Sequence, residues 1–397
     1  MTRAKLLPYA VVLISAIFYG CQSGPIQSVG SPSVQQGYQP ALDSDEAGLW
    51  LVMDQAEKDL KTSGKLIADT RANEYLREVI CRLAGDICAD VRVYLVRVPY
   101  FNATMAPNGV MQVWSGLLLR TENEAQLAYI LGHEIAHYRY QHSLQIFRQA
   151  KSTANILAPF QVLTAAGGVW YVGSLAQLGA VGTLMKFSRD HEREADDGGF
   201  RAAVAAGYEP HEAARIWERL EEEREALDES APSVFLSTHP SAGERVEILR
   251  QRADDATEPA VGWYTGSDSY NEVIDPLRFE LMGDELRLRQ FAATQILLDR
   301  AAEAGRPAAE TSFFQAELYN ARSEKGDTLK AEESYRESVT HPDAPPDAYR
   351  ELAMIYMKSG REQKAVPLFE TYLAKKPDAF DRSMVKAYIQ RIGAGEN

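Results

Sequence analysis

Two histidines and a glutamate, arranged His133-Glu134-x-x-His137, are the residues of this chain best placed to do chemistry. On an α-helix, positions i and i+4 lie on one face, so the two imidazoles can bind one Zn²⁺. The Glu134 carboxylate can then accept a proton from water beside the metal ion, which also polarises a carbonyl group. The motif therefore predicts peptide-bond hydrolysis, with His133 and His137 as zinc ligands and Glu134 as the general base.

A zinc hydrolase needs a third protein ligand and an open fourth position. Further along the chain, the run SRDHEREADDGG places Glu192 and Asp196 four positions apart, on one helical face. Glu192 is the candidate third ligand, and Asp196 can accept the free N–H of one zinc-bound histidine and fix its tautomer. The simpler alternative is a solvated acidic helix without a metal. The nearby His142 and His191 are expected to make only local hydrogen bonds.

The HExxH motif can bind a metal ion in this way only on a helix, and the sequence around it favours a helix. It predicts an amphipathic helix from about Glu122 to Ser143, with Thr121 as its N-cap. The apolar positions at helical spacing are Leu127, Ile130, Leu131 and Ile135. Histidines buried on such a helix need polar partners, which a metal site supplies.

Two β-branched runs precede this helix, at residues 91–98 and 110–114, with a Pro/Asn/Gly-rich region between them. They predict a β-hairpin. If the edge of the hairpin lies beside the active-site helix, an extended peptide can add to it as another strand, which favours unfolded substrates. Alternatively, the hairpin only supports the helix.

The motifs NATMAPNGVMQVWSGLL, HExxH, SRxxExEAD and STHPSAGER occur in this order and together resemble the M48 family of zinc metallopeptidases. The resemblance is to its periplasmic bacterial branch with C-terminal tetratricopeptide repeats, and it covers about residues 45–250. It implies one Zn²⁺ per chain, Glu192 as the third ligand and Asp196 in a supporting role. His239 of the THP motif would cover the open coordination position or assist the reaction, and Arg245 follows on the same segment. Either side chain could donate a hydrogen bond to the oxyanion.

We expect an α+β fold in two parts. Residues 45–255 would form a mainly helical, zincin-type metalloprotease domain with a small β-sheet, and residues 276–397 an all-α tetratricopeptide-like domain after a linker at 256–275. The 397 residues, of which 45% are hydrophobic, are enough for a core in each part.

The C-terminal part contains a repeat with an offset of 34 residues, the tetratricopeptide period. The equivalent pairs are Gly326 with Gly360, Ala331 with Ala365, and Tyr335 with Phe369. Residues 280–305 are expected to form a further irregular helical pair, and residues 379–393 a capping helix. The array would either dock a partner in a groove or act only as a structural cap.

The N-terminus is typical of a signal peptide at residues 1–21. Arg3 and Lys5 precede a short apolar stretch at residues 6–18. Cys21 then follows a glycine, which resembles the cleavage site of a bacterial lipoprotein. The pattern therefore places the mature protein in the periplasm.

The sequence around Cys21 leaves the mode of attachment open. A lipidated cysteine would anchor the chain to the outer membrane, with residues 22–44, rich in Ser, Gly, Gln and Pro, as a flexible tether. The bulky Phe18 and Tyr19 depart from the usual small residues before such a cysteine. An ordinary secretory signal and an uncleaved anchor are the alternatives.

The remaining cysteines, Cys81 and Cys88, lie on either side of Gly85. In an oxidising periplasm they could close a small disulfide loop at the end of the helix that leads into the first strand. Two buried free thiols are the alternative.

Residues 152–185 separate the two metal motifs and contain no charged residue. Their length would permit a transmembrane helix. Pro159 and several glycines favour a broken apolar hairpin instead. We expect this segment to form a mobile lid or a membrane-facing flap over the cleft.

The net charge of −14 and the lack of a basic stripe argue against a nucleic-acid-binding surface. The resemblance implies a zinc-dependent endopeptidase of the cell envelope that hydrolyses unfolded or misassembled outer-membrane proteins. Its repeats would dock substrate or the outer-membrane assembly machinery. The alternative is a chaperone or assembly factor, or a tetratricopeptide scaffold, in which proteolysis is minor or absent; the intact metal motifs disfavour the scaffold.

Overall fold

The computed structural model describes residues 34–152, 187–227, 235, 239 and 242–394. The predicted signal peptide with Cys21, part of the predicted tether and nearly all of the predicted lid lie outside these residues. The described part is mainly helical with one small sheet, which confirms the α+β fold class. Within it, we find no helix with the length and apolarity needed to cross a membrane.

The helices occur in three groups along the chain. Those before and within the first metal motif are α1 (Asp45–Thr62), α2 (Thr70–Ala84), a 3₁₀ helix (Gly85–Asp90), α3 (Ser115–Arg120), α4 (Glu124–Arg139) and α5 (His142–Ser152). The second metal motif and its neighbours form α6 (Arg189–Ala205), α7 (Glu212–Ala226) and α8 (Ala242–Asp254). The C-terminal part contains α9 (Ser267–Arg287), α10 (Phe291–Glu303), α11 (Ala308–Arg322), α12 (Asp327–Ser338), α13 (Pro346–Lys358), α14 (Glu362–Lys375) and α15 (Arg382–Gly393).

The sheet is built from β1 (Arg92–Val96), β2 (Ala103–Met105) and β3 (Val110–Trp114), in the order β1-β3-β2. β1 pairs with β3 in parallel, so the predicted hairpin between these two runs is wrong. The segment that joins them is long enough to carry β2, which turns back and pairs antiparallel with β3. β2 is consequently an edge strand, and it packs against α4.

The predicted HExxH helix is present as α4, but with different ends. Asn123 caps the helix, because its side chain accepts a hydrogen bond from a backbone amide of the first turn at 2.9 Å. Thr121, the predicted N-cap, donates its hydroxyl to the Leu117 carbonyl at 3.1 Å and so belongs to the end of α3. At the other end the chain turns at Gln141, whose φ of 55° is left-handed, and α5 begins at the next residue.

Helices α4 and α6 approach each other backbone to backbone, and two glycines make this possible. A β-carbon on Gly199 would lie 2.6 Å from the backbone nitrogen of His133, and one on Gly132 would lie 3.1 Å from the Gly199 carbonyl oxygen. A side chain at Gly199 would collide with the backbone of α4, and one at Gly132 would be tightly packed. The close approach brings the carboxylates of α6 within reach of the histidines of α4.

The C-terminal helices pack directly on the rest of the molecule. One cluster of buried apolar residues runs from α2 and α4 through α9 to α11, α12 and α13. At the junction, the buried Arg120 of α3 donates to Glu223 of α7 at 2.7 Å and to Glu285 of α9 at 2.9 Å. Removing one member of such a buried network leaves an unpaired charge, which is strongly destabilising.

The helices α11–α12 and α13–α14 form two consecutive pairs, and the residues matched at an offset of 34 lie in or just before the second helix of each pair. Gly326 and Gly360 precede the second helix of each pair with φ of 93° and 71°. Tyr335 and Phe369 are fully buried at equivalent positions of these second helices. Helix α15 then packs on α14 through its apolar face.

Candidate metal centre

The two motif histidines converge on one point from α4. The Nε2 atoms of His133 and His137 lie 2.9 Å apart, and both side chains are buried. Burial lowers the pKa of both imidazoles. They are therefore held neutral, which is the form that binds a metal ion.

Glu192 reaches the same point from the first turn of α6. Its carboxylate oxygens lie 3.6 Å from the Nε2 atom of His133 and 3.5 Å from that of His137. His239 also reaches this point, with its Nδ1 atom 2.9 Å from Glu192 Oε1. One possible ligand atom from each of these four residues lies within 4.8 Å of the others. The structure thus brings together the three predicted ligands and His239.

The composition of this cluster fits a zinc site. Imidazole nitrogens and carboxylate oxygens are the usual zinc ligands. Among the described residues, Glu134 Oε1 and Glu192 Oε2 are buried without a hydrogen-bond partner. Such atoms cost free energy when nothing compensates them, and a divalent cation held by Glu192 would do so for its oxygen.

Glu134 lies beside the ligands, where a general base is needed. Burial raises the pKa of its carboxyl to about 7, although the nearby His239 opposes the shift. Its Oε1 atom lies 3.6 Å from His239 Nε2. The backbone of Met105, on edge strand β2, also hydrogen-bonds it and lowers its pKa. A carboxyl group in this pKa range can both accept and return a proton near neutral pH.

Asp196 supports His133 from the side away from the cluster. Its Oδ1 atom lies 2.9 Å from His133 Nδ1, and Arg245 Nε donates to its Oδ2 at 2.9 Å. Burial alone would raise the pKa of Asp196, but the charge of Arg245 and these hydrogen bonds hold it below its usual range. The Arg245 guanidinium also stacks on the Trp217 ring, 3.8 Å from its centroid. Arg245 therefore lies behind His133, and its direct part in the reaction stays a prediction.

His239 is held between two carboxylates and an aromatic ring. Its imidazole stacks on Phe235 with 4.3 Å between ring centroids. Burial lowers its pKa, but the charges of Glu192 and Glu134 prevail and raise it. His239 can thus donate from a charged ring or, once neutral, offer a nitrogen to a cation.

Sequence reasoning missed Glu194 and an aromatic contact at this site. The Nδ1 atoms of His142 and His137 lie 2.9 Å apart, and His142 Nε2 lies 3.2 Å from Glu194. The expected local hydrogen bond of His142 is present, because His137 is five residues away, but the contact with Glu194 on another helix was not expected. Phe187 stacks on His137 at 3.9 Å between centroids. The signals in the sequence were the closeness of His142 to the HExxH motif and the place of Glu194 in the SRxxExEAD motif; Phe187 gave none.

Cys81 and Cys88 are joined by a disulfide, with their Cα atoms 4.7 Å apart. The bond links the last turn of α2 to the 3₁₀ helix that leads into β1. It lies where the sequence suggested a small loop.

The family model described as "Peptidase family M48" matches residues 70–253, which include all the residues discussed for the cluster. The match therefore covers the part of the chain that carries the site.

Several curated proteins are also similar. The chain is 27% identical over 203 residues to the "Putative beta-barrel assembly-enhancing protease" of Vibrio cholerae, covering 49% of this chain and 42% of that protein. It is 25% identical over 338 residues to the "Beta-barrel assembly-enhancing protease" of Escherichia coli K12, covering 80% and 67%. It is 30% identical over 265 residues to the "Metalloprotease YcaL" of the same organism, covering 64% and 98%. The chain spans about half the length of several curated relatives it matches, the Vibrio cholerae protein among them.

Proposed function

Because the chain belongs to peptidase family M48, we propose that it is a zinc-dependent endopeptidase of the cell envelope. The observation that carries the proposal is the buried cluster of His133, His137 and Glu192 next to Glu134, whose pKa is raised to about 7. Ligands and base come from two helices whose backbones touch, so their relative positions are rigid.

In this proposal the three ligands hold one Zn²⁺, which when bound acidifies water and polarises the scissile carbonyl. Glu134 accepts the proton of the attacking water at its carboxylate and passes it to the leaving amine nitrogen. Asp196 keeps His133 in the tautomer with its proton on Nδ1, which leaves Nε2 free to bind the metal.

His239 has two possible uses in this mechanism. Because it lies beside Glu192, its imidazole would be able to serve as a fourth ligand to a bound cation and so exclude substrate. Because it also lies beside Glu134, its imidazole could instead donate a hydrogen bond to the oxyanion when it is not serving as a ligand. Arg245 is the alternative donor, and its buried Nη1 atom lies 3.4 Å from Glu192 Oε2.

We propose unfolded or misassembled envelope proteins as substrates. Edge strand β2 packs beside α4, so an extended peptide that pairs with β2 would pass next to Glu134. A folded protein rarely offers such a free strand. Relatives named as enhancing β-barrel assembly support outer-membrane proteins as the class, and the helix pairs α11–α14 would dock substrate or assembly machinery.

We propose a periplasmic location, with Cys21 as the lipid anchor to the outer membrane. The relatives named for β-barrel assembly support an envelope location. Globomycin treatment, which blocks lipoprotein signal cleavage, should cause an unprocessed form to accumulate, and Cys21→Ala should remove the lipid. An unlipidated wild-type protein would contradict the anchor.

The first experiment is zinc content per mature chain by plasma mass spectrometry, in the wild type and in Glu192→Ala. We expect about one zinc per wild-type chain and much less in the variant. A wild-type protein that binds no zinc when purified without chelator would contradict the hydrolase proposal.

A second experiment separates the protease from a chaperone or assembly factor. Glu134→Gln removes the general base but keeps the metal ligands. If cells that carry only this variant lose envelope function while the protein stays folded, proteolysis is the function. If they keep it, binding and assembly are the function instead.

A further inference from the structure

His137 uses both of its ring nitrogens. Nε2 faces His133 Nε2 at 2.9 Å, and Nδ1 faces the Nδ1 atom of His142 at 2.9 Å. His142 is the first residue of α5, and its side chain is completely buried. The left-handed turn at Gln141 directs the chain so that His142 comes to lie behind the ligand.

If zinc binds His137 Nε2, the positions of the ring protons of His137 and His142 follow from that bond. That metal bond uses the Nε2 lone pair, so the ring proton of His137 is on Nδ1 and must be donated. The acceptor is His142 Nδ1, which therefore carries no proton. The proton of a neutral His142 is then on Nε2, which lies 3.2 Å from Glu194 Oε2. Each donor in this chain of hydrogen bonds faces an acceptor.

We propose that His142 is a positioning residue for the zinc ligand His137, and that Glu194 holds His142 in the tautomer this role requires. The inference rests on the proposed zinc site. It gives His142 a role other than metal ligand, because both of its nitrogens are already engaged.

The two metal-binding histidines are thus supported in different ways. His133 donates directly to Asp196, a carboxylate that Arg245 holds in place. His137 donates to a neutral imidazole, and the supporting carboxylate of Glu194 is one residue further away and 37% exposed. A neutral acceptor increases the basicity of a metal ligand less than a carboxylate does. Loss of His142 should therefore weaken zinc binding without abolishing it.

The test is the zinc dissociation constant, measured by competition with a fluorescent chelator. We expect His142→Ala to weaken binding about 10- to 100-fold, as for other residues that orient metal ligands. His142→Gln should lose less, because its amide oxygen can accept the His137 proton. Glu194→Ala should lose the least, since water can replace this partly exposed carboxylate.

His191→Ala is the matched control. His191 stacks on the His142 ring, with 4.4 Å between centroids. If packing around His142 were the cause, this variant would weaken zinc binding as much as His142→Ala. We expect it to stay close to the wild type.

The outcomes separate this inference from the proposed function. If the wild type and His142→Ala bind zinc equally tightly, the inference is overturned while the zinc site stands. If the wild type binds no zinc, both fail. If His142→Ala does not fold, His142→Phe takes its place, because its ring fills similar space but has no nitrogen to accept the His137 proton. A zinc affinity equal to that of the wild type in this variant would then overturn the inference.

A second measurement reports on the hydrogen bond itself. In zinc-loaded protein the His137 Nδ1 proton should give a protected, downfield proton NMR signal. We expect it to disappear in His142→Ala and to persist in His191→Ala. Persistence in His142→Ala would contradict the proposed acceptor.

Discussion

The metal centre and the C-terminal helix pairs both bury polar side chains, but they satisfy them differently. In the pairs, the buried Tyr372 hydroxyl donates to Asp381 at 2.7 Å, and Tyr335 donates to Glu317. At the metal centre, Glu134 Oε1 and Glu192 Oε2 have no such partner among the described residues. These two tyrosines thus find protein partners, whereas the buried carboxylate oxygens of the centre would need a cation or a reacting group to compensate them.

The largest effect should come from Glu134→Gln, which removes the base but leaves the helix pairs untouched. We expect cleavage of an unfolded substrate protein to fall about 10²- to 10⁴-fold, because a neutral amide cannot accept the proton. Zinc content and the thermal midpoint should stay near the wild-type values. Undiminished cleavage by a zinc-loaded variant would show that another group is the base.

The second effect concerns the pH dependence of stability in zinc-free protein. Burial raises the pKa of Glu134 from 4.5 to about 7, so folding favours its protonated form. The protonated carboxyl therefore stabilises the folded state fully at a pH below the unfolded pKa of Glu134. This stabilisation is about 3 kcal/mol, and it is lost as the pH rises through the folded pKa of about 7.

Urea unfolding at pH 5 and pH 7.5 measures this contribution. The wild type should lose more stability than Glu134→Gln over this interval. Equal losses in the two proteins would contradict the raised pKa.

The third effect tests the rigid approach of the two helices. Gly199→Ala should destabilise the protein by about 1–3 kcal/mol and weaken zinc binding, because the new methyl group meets the His133 backbone. Gly283→Ala in α9 is the control, since nothing lies within 4 Å of its added carbon. It should stabilise the protein by about 0.5–1 kcal/mol. Equal behaviour of the two variants would show that the crossing tolerates a side chain.

The smallest effect lies in the helix pairs. Gly360→Ala should cost about 1 kcal/mol, because a φ of 71° is strained for alanine. The zinc dissociation constant should not change. Weaker zinc binding in this variant would show that the stability of the helix pairs affects the metal centre.

Much of the fold was predictable because its signals are local. The spacing within the HExxH motif predicted a helix, and α4 is present. The period of 34 residues predicted helix pairs, and the pairs α11–α12 and α13–α14 are present, with bounds offset by 35 to 38 residues; the tetratricopeptide assignment stays a prediction. The exact ends were not predictable, because Asn123 and Thr121 are both good N-caps and the neighbouring helix decides between them. The topology of the sheet was not predictable either. The two strand-like runs do not reveal that β2 lies between them in the chain and pairs with β3.

The sequence by itself determined which side chains can hold a metal: His133 with His137 and Glu192 with Asp196 each share a face through the fixed geometry of a helix. Only the tertiary structure decided which side chains contact each ligand histidine on the side away from the cluster. Arg245 behind Asp196, and His142 with Glu194 behind His137, are contacts between different helices. Such contacts depend on how α4, α5, α6 and α8 cross, and the close approach at Gly199 that sets one of these crossings comes from packing across the fold.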